Sequence, residues 1–330
     1  MRGTEKQFSL FLDRERKKIE IKLFESLDKR EPQSLYKPAS YIINEGGKRL
    51  RPLLVLLSVK AVGGKLLKAY NAAAAVELLH NFTLVHDDIM DNADKRRNLL
   101  TLHKKYDLST AILAGDSLLS VAYEYLLKDC NGNSKIILKE FTKGLIEVCE
   151  GQSLDKDYEI RKTVSIEEYI LMIKKKTAAM MEMCCSIGAI LGGGSKKEIN
   201  ALAGFGKNIG IAFQIHDDLL DITGNENDFG KFVGGDLVEG KKTFLFIKAL
   251  EKAKGKERQL LLKVIEEKGI KHEEIQTYKD LYIKLDVLND ASEEIKRYTQ
   301  KALNSIKILK EENFRRWFNR LADSLINRKK

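Results

Sequence analysis

Apolar residues recur with helical spacing along almost the whole chain, and short polar or glycine-containing breaks separate the segments. Apolar positions three and four apart fall on one face of a helix, which is typical of amphipathic or buried α-helices. The pattern predicts helices over 8–27, 50–62, 70–90, 109–128, 135–152, 165–191, 196–220, 242–254, 257–268, 284–310 and 312–328. It therefore predicts an all-α protein, with one domain over residues 1–330 that forms a single large helical bundle with a central cavity.

The distribution of proline supports this interpretation. The chain has 330 residues, and its three prolines, Pro32, Pro38 and Pro52, all lie near the start. A long proline-free segment rich in Ala, Leu, Glu and Lys favours helix, because proline breaks helices and marks turns. No apolar run approaches the roughly 18 residues of a spanning helix, so no membrane anchor is expected. The start of the chain lacks the features of a secretory signal.

Cysteine usage and charge limit the class of protein further. The four cysteines show no metal-binding spacing, and buried reduced thiols are typical of a cytoplasmic protein. Lysine and arginine number 58 and the acids 48, a formal net charge of +10. The basic residues are interspersed with glutamate, as on solvated helix faces, and no nucleic-acid-binding motif is present. Nucleic acid is therefore not expected as a partner, whereas phosphorylated small molecules are.

One short acidic pattern occurs twice, as Asp87-Asp88-Ile89-Met90-Asp91 and as Asp217-Asp218-Leu219-Leu220-Asp221. On a helix, residues i and i+4 lie on the same face, with Cβ atoms about 5–6 Å apart. Carboxylates this close repel each other unless a cation lies between them. Oxygen ligands of this type, with room for water and phosphate, favour Mg²⁺. The alternative is a solvated acidic surface, but apolar residues precede both copies.

Basic residues and glycines accompany the acids. Lys48 and Arg51 lie beside Gly46-Gly47, where glycines and a helix start let phosphate approach the backbone. Arg96 and Arg97 follow the first acid motif closely. Near the second motif, the candidates are Lys176, Thr177, Gln214, Lys231 and Lys241. Each of these basic segments alone would be read as exposed surface. Together with the acids, they predict a binding site with metal and diphosphate on one side and a second, cationic pocket on the other side.

These motifs occur in an order that resembles the trans-prenyl diphosphate synthases (polyprenyl synthetases). The matching segments are GGKRLRP (46–52), HDDIMDNADKRR (86–97), AGD (114–116), GQSLD (151–155), KT (176–177), FQIHDDLLD (213–221) and GKFVGGDLVEGKKT (230–243). The resemblance covers roughly residues 35–243, and only helical character extends it further. It implies the isoprenoid synthase type of all-α fold. One departure is Asn98, where members often have glycine; Asn tolerates left-handed backbone geometry, so little consequence is expected.

The resemblance implies a role for each candidate residue. Members join isopentenyl diphosphate head to tail to an allylic diphosphate such as dimethylallyl, geranyl or farnesyl diphosphate. About three Mg²⁺ ions per active site would be held on the allylic diphosphate by the six acids of the two motifs. The allylic site would be completed by Arg96, Lys176, Thr177, Gln214, Lys231 and Lys241, with Lys176 counted as catalytic. Isopentenyl diphosphate would be bound by Lys48, Arg51, His80 and Arg97. A homodimer is also implied.

Product length is implied by the residues just before the first acid motif. In the family, an aromatic residue five positions before the first aspartate of the motif stops growth of the prenyl chain near twenty carbons, provided that the motif has no insertion. Phe82 occupies that position, and the motif here has no insertion. A helical wheel instead places Thr83 close to the line beneath Asp87, with Phe82 about 140° away. We expect geranylgeranyl diphosphate as the product, with farnesyl diphosphate next and longer chains third.

Three other functions remain alternatives. A terpene cyclase shares the fold, but it would lack the second-substrate pocket that the GGKRLRP segment suggests. A non-catalytic subunit of a heteromeric synthase would have lost acids from one motif, and both are intact here. A nucleic-acid binder would be recognised by salt-dependent binding.

Overall fold

The computed structural model describes residues 2–130, 132–224 and 233–326, with the side chains of residues 2–5 left aside. The described part is almost entirely helical, which confirms the predicted all-α class. The helices are α1 (Arg2–Leu27), α2 (Gln33–Asn44), α3 (Leu50–Ala61), α4 (Tyr70–Met90), α5 (Leu102–Lys105), α6 (Leu108–Lys128), α7 (Ser134–Ile160), α8 (Ile166–Ile173), α9 (Ala179–Leu191), α10 (Lys196–Thr223), α11 (Gly235–Val238), α12 (Phe244–Lys252), α13 (Gly255–Glu267), α14 (Ile275–Lys284), α15 (Val287–Ser305) and α16 (Glu312–Ile326).

Shorter elements connect these helices. Three-residue 3₁₀ turns lie at Leu66–Lys68, His272–Glu274 and Ile306–Ile308, and a π-helical turn at Lys174–Ala178 joins α8 to α9. Two short antiparallel strands, β1 (Lys95–Arg96) and β2 (Leu99–Leu100), form a hairpin. The sequence pattern did not predict this hairpin, because strands of two residues are too short to show alternation.

The fold comprises two compact units. The first contains Met1–Leu145, Met183–Ala203 and Ile308–Trp317. Its core centres on α4, which packs against α1, α3 and α6. The alanines from Ala72 to Ala75 are fully buried, and such small side chains let neighbouring helices approach closely.

The second unit contains Ile146–Glu182, Gly204–Lys307 and Phe318–Lys330. Here α12 packs against α8, α13 and α15. Large side chains such as Phe244, Phe246 and Tyr282 are almost completely buried in its core. The prediction of one domain over residues 1–330 stays a prediction.

Several predicted helix bounds were wrong. The predicted helix 284–310 begins too early: α15 starts only at Val287, after Asp286 with its φ of 57°, and the preceding helix α14 was not predicted. A left-handed residue interrupts a helix, and the charged sequence there gave no glycine or proline signal. Helix α7 continues to Ile160, eight residues beyond the predicted end at Gln152.

None of the helices within the described ranges combines the length and the apolar character that crossing a lipid bilayer requires.

Candidate active site

The first acid motif lies at the carboxyl end of α4. Asp87 and Asp88 occupy the last turn, and Asp91 caps the helix. The carboxyl end of a helix carries a partial negative charge, so acids there cost free energy, typically about 0.3–1 kcal/mol each. A fold that keeps three acids at this end favours a cation as their partner.

Asp88 is paired with an arginine. Its side chain is 2% exposed, and Arg96 donates from Nε to Oδ1 at 2.8 Å and to Oδ2 at 3.1 Å. A second guanidinium nitrogen lies 2.7 Å from Oδ1. Burial lowers the pKa of Arg96, but its hydrogen bonds and charge attraction to Asp88 outweigh that and raise the pKa above its usual value. Asp88 therefore orients Arg96.

The hairpin presents both arginines. Arg97 and Asn98 form its two-residue turn, with φ of 49° and 67°. Positive φ at both positions is typical of the hairpin turn that matches strand twist, and Asn is favoured there. The expected tolerance of Asn98 for left-handed geometry is confirmed. The turn separates the two guanidinium groups: Arg96 pairs with Asp88, whereas Arg97 donates to the carbonyl of Gly46.

Arg97 lies directly against the glycine loop before α3. A Cβ on Gly47 would come within 3.2 Å of its guanidinium nitrogen, and Gly47 has a φ of 146°. The backbone conformation at this position therefore favours glycine, and a side chain there would also press against the Arg97 guanidinium. The structure brings the GGKRLRP and KRR segments together, as the second cationic pocket requires.

His80 and Arg51 complete this cluster. Arg51 Nη1 lies 3.0 Å from His80 Nε2. Because arginine only donates, Nε2 must accept, which leaves the proton of the neutral ring on Nδ1. Burial, followed by the charges of Arg51, Arg97, Arg96 and Arg49, holds the pKa of His80 well below its ordinary value. His80 is thus a neutral acceptor that orients Arg51.

The other basic residues of GGKRLRP have separate roles. Arg49 is buried, donates to Glu77 at 3.0 Å and to the carbonyl of Ile43 at 2.8 Å, and has a φ of 51°. It anchors the loop to α4 and α2. Lys48 is exposed in the loop that precedes α3.

The second acid motif lies near the carboxyl end of α10. Asp218 is 5% exposed and receives three hydrogen bonds within the second unit. Tyr169 Oη donates to Oδ2 at 2.6 Å, the backbone N–H of Phe244 donates to Oδ2 at 3.0 Å, and Gln214 Nε2 donates to Oδ1 at 3.2 Å. Thr177 Oγ1 in turn donates to Gln214 Oε1 at 2.9 Å.

Burial dominates the charge state of Asp218. Desolvation, and then the nearby charge of Asp236, raise the pKa of Asp218 to about 7, although the hydrogen bonds from Tyr169, Phe244 and Gln214 lower it. Asp236 also lies close to Asp221, because its backbone N–H donates to Asp221 Oδ2 at 3.2 Å. A bound cation would relieve this concentration of negative charge.

The π-helical turn between α8 and α9 carries Lys176 and Thr177. Such turns interrupt the regular hydrogen-bond ladder and often occur at functional sites. Lys176 forms an ion pair with Asp155 of the GQSLD segment. Gly151 of the same segment makes room for this turn, since a Cβ there would lie 2.1 Å from the Lys176 nitrogen.

Lys241 lies 2.6 Å from a carboxylate oxygen of Glu239 and 3.5 Å from one of Asp236. Lys231 lies outside the described residues. An open cleft in the second unit brings together Lys176, Thr177, Gln214, Asp218 and Lys241.

Both candidates for product length lie on α4, one turn before the first motif. The rings of Phe82 and His86 are in tilted contact, with centroids 4.6 Å apart and an interplanar angle of 54°, and His86 fills the space beside Gly115 of the AGD segment. Thr83 Oγ1 donates to the carbonyl of His80 at 2.8 Å. The hydroxyl of Thr83 is thus engaged by the backbone, whereas the ring of Phe82 lies against His86.

Some residues of the cleft were not identified from the sequence. These are Tyr158, Tyr169, Asp236 and Lys242, which line the cleft. In the first unit, Glu45 was also missed; its buried Oε1 has no hydrogen-bond partner, and the charge of Arg97 lies nearby. Nothing local in the sequence marked Tyr169, because its partner Asp218 lies 49 residues away. Asp236 was visible as the acid of GGD, but nothing in the spacing linked it to Asp221.

The donor set fits a hard divalent cation, because both motifs offer carboxylate oxygens. Among the described residues, no group of three or more His, Cys, Asp or Glu side chains is arranged as a ready metal site. An ion bound to either motif would take its remaining ligands from water or from phosphate oxygens, as Mg²⁺ commonly does.

Comparison with known proteins agrees with this chemistry. The chain matches the polyprenyl synthetase family over residues 32–282. The geranylgeranyl diphosphate synthase of Sulfolobus acidocaldarius is 42% identical over 276 residues, 82% of this chain and 83% of the relative.

Solved structures extend the likeness to the whole fold. The geranylgeranyl pyrophosphate synthetase of Pyrococcus horikoshii has a TM-score of 0.90 at 38% identity, covering 98% of this chain and 99% of that one. A polyprenyl synthase of Caulobacter crescentus, complexed with calcium and isoprenyl diphosphate, also has a TM-score of 0.90, at 25% identity and 98% coverage of both chains. The fold is thus the isoprenoid synthase fold, and the family uses divalent metal ions. This chain belongs to the polyprenyl synthetase family.

Proposed function

We propose that the protein is a Mg²⁺-dependent prenyltransferase that condenses isopentenyl diphosphate with allylic diphosphates, and that geranylgeranyl diphosphate is its main product. One observation carries the proposal: the chain has two chemically different sets of residues, each suited to a diphosphate. Acids dominate one set, and the cluster of Arg51, His80 and Arg97 forms the other. Two diphosphate substrates need two such sets, whereas a cyclase needs one.

The allylic diphosphate is assigned to the acid motifs. Asp87, Asp88, Asp91, Asp217, Asp218 and Asp221 are proposed to hold it through about three Mg²⁺ ions, either as ligands or by orienting the ligands. Bound Mg²⁺ would neutralise the diphosphate and make it a better leaving group. Arg96, Lys176, Thr177, Gln214, Lys231 and Lys241 supply further positive charge and hydrogen bonds.

Isopentenyl diphosphate is assigned to the second set. Arg51 and Arg97 offer planar guanidinium groups that match phosphate oxygens, and the exposed Lys48 adds a point charge. His80 orients Arg51 through its neutral ring. Because His80 carries no charge, it does not need an anion, and the arginines remain the charged partners of the substrate.

The reaction then follows from these positions. Positive charge around the allylic diphosphate stabilises its departure, so the C–O bond ionises to an allylic carbocation. The double bond of isopentenyl diphosphate attacks the cation, and loss of a proton completes the new prenyl chain. The departing diphosphate is the proposed proton acceptor, since the described cleft offers lysines and hydrogen-bonded acids but no evident free base.

A homodimer is part of the proposal. Leu108, Ile112 and Leu113 on α6 are 54%, 39% and 58% exposed, and adjacent exposed apolar residues favour burial against a partner. We also propose a cytoplasmic location, without a membrane anchor, and a single domain over residues 1–330.

The test is incorporation of radiolabelled isopentenyl diphosphate with Mg²⁺ and each of dimethylallyl, geranyl and farnesyl diphosphate. A twenty-carbon product from all three primers is expected. A fifteen-carbon or longer product would keep the reaction and overturn the product assignment. No incorporation by folded protein would favour the role of a non-catalytic subunit, and cyclised hydrocarbon would favour a cyclase.

A further inference from the structure

Two helical segments of the second unit are joined at two successive turns. Thr177, in the π-helical turn after α8, donates to Gln214 of α10. Tyr169, in α8 itself, donates to Asp218, one turn further along α10. Gln214 also donates to Asp218, which closes the connection between the two points.

The hydrogen bonds fix the orientation of each group. Gln214 accepts through Oε1 and donates through Nε2, so its amide has one assignment. Oδ2 of Asp218 accepts from both Tyr169 and the Phe244 backbone, so both lone pairs of that oxygen are used. A carboxylate held in this way cannot turn freely toward a metal ion.

Tyr169 has the properties of a residue that sets this arrangement. It is 2% exposed, its ring lies 6.1 Å from that of Phe244 at an interplanar angle of 63°, and its hydroxyl makes the shortest of the three bonds to Asp218. The capping box of Ser165 and Glu168 fixes the start of α8 immediately before it. Tyr169 is thus positioned by packing and by a fixed helix end.

We propose that Tyr169 is a positioning residue: through Asp218 it fixes the register between the helix carrying Lys176 and Thr177 and the helix carrying the second acid motif. Asp217 and Asp221, which share one face of α10, are the proposed metal-facing pair. This inference rests on the proposed function, because it assumes a Mg²⁺–diphosphate complex at the second motif.

The test compares Tyr169→Phe with Tyr278→Phe. Tyr278 is also 2% exposed, and its hydroxyl donates to the carbonyl of Leu260 at 3.2 Å outside the cleft, so its loss controls for a missing buried hydrogen bond. The first readout is the melting temperature in rising Mg²⁺ with inorganic diphosphate present. The second is the pair of KM values for farnesyl and isopentenyl diphosphate.

For Tyr169→Phe we expect a rise of roughly tenfold in the half-saturating Mg²⁺ concentration, which corresponds to about 1.4 kcal/mol, the usual contribution of one hydrogen bond. The KM for farnesyl diphosphate should rise similarly, and that for isopentenyl diphosphate should stay unchanged. Tyr278→Phe should lower only the melting temperature without ligands. The same half-saturating Mg²⁺ concentration in Tyr169→Phe and Tyr278→Phe would overturn the proposal.

A double-mutant cycle tests whether Tyr169 acts through Asp218. In an Asp218→Ala background, Tyr169→Phe should add little to the loss of Mg²⁺ response, because the two residues form one unit. Additive effects would show that Tyr169 acts elsewhere. If the wild-type protein has no activity but still shows the Mg²⁺ response and its loss in Tyr169→Phe, then the proposed reaction fails while the positioning role stands.

Discussion

The backbone nitrogen of Lys176 lies only 2.1 Å from the position that a Cβ atom on Gly151 would occupy. The Lys176 Cα lies 2.6 Å and the Lys175 carbonyl carbon 2.7 Å from the same point. These are backbone atoms, so a rotamer change cannot relieve the clash. Gly151 of GQSLD therefore serves the π-helical turn that carries Lys176 and Thr177.

Gly151→Ala is expected to shift that turn and to lower both activity and stability. Overpacking of this kind typically costs about 1–3 kcal/mol, more than the roughly 1 kcal/mol that alanine gains in helix propensity. Urea unfolding and kcat measure the two effects. Gly144→Ala on the same helix is the control, because its closest neighbour is the flexible sulfur end of Met183. If Gly151→Ala lost no more stability than Gly144→Ala, the packing argument would be contradicted.

Asp87→Asn and Asp88→Asn are expected to differ in their Mg²⁺ dependence. Asp88 is committed to Arg96 through both oxygens, so Asp88→Asn should leave the half-saturating Mg²⁺ concentration nearly unchanged and raise the KM for the allylic diphosphate. It should also cost about 1–3 kcal/mol of stability, because Arg96 loses its charged partner. Asp87→Asn should raise the Mg²⁺ requirement roughly tenfold or more, a loss of at least about 1.4 kcal/mol. Steady-state rates over a Mg²⁺ titration distinguish the two variants. An equal rise in the half-saturating Mg²⁺ concentration in both would refute the different roles of Asp87 and Asp88.

Much of the candidate active site could be predicted from the sequence, because its residues lie in short contiguous motifs. Helical periodicity placed the acid motifs of α4 and α10 at the ends of mostly apolar helices, and the structure confirms those helices. The association of Arg97 with the glycine loop was expected only from the family resemblance. Its physical basis, the space beside Gly47, became visible in the structure.

The remainder depended on contacts between distant positions. The bond from Tyr169 to Asp218 joins residues 49 apart, and no local pattern marks a buried tyrosine as a donor to an acid. Arg49 lies in the basic GGKRLRP segment, where an arginine could bind phosphate. Its side chain is instead buried against Glu77, which gives it a structural role. The left-handed Asp286, which separates α14 from α15, had no glycine or proline to signal it. The periodicity of apolar residues indicates which side chains are buried, but it does not indicate which polar groups form hydrogen bonds or ion pairs with each other.

Protein stability should depend on pH through His80. Because the pKa of His80 is lowered in the folded state, the unfolded chain binds a proton more readily near its ordinary pKa of about 6.5. Stability is therefore complete above that pH and falls as the pH drops below it, by at most about 1.4 kcal/mol per pH unit. Urea unfolding of wild type and His80→Gln at pH 7.5 and pH 5.5 measures this contribution. Gln can still accept from Arg51, so the variant should lose less stability on acidification; identical pH dependence would show that His80 is not held neutral.

Phe82→Ala is expected to give products longer than twenty carbons, because it removes the aromatic ring that lies against His86, one turn before the first acid motif. Thr83→Phe tests the competing helical-wheel argument, in which the position beneath Asp87 limits growth and a larger side chain there shortens the product. The measurement is chain length by chromatography after reaction with farnesyl and isopentenyl diphosphate. Leu84→Ala, at a half-buried neighbouring position of α4, is the control for general loosening of the helix. Longer products from Phe82→Ala alone would assign the limit to Phe82. An unchanged distribution, together with shorter products from Thr83→Phe, would assign it to Thr83, since only a side chain that meets the growing end can change where growth stops.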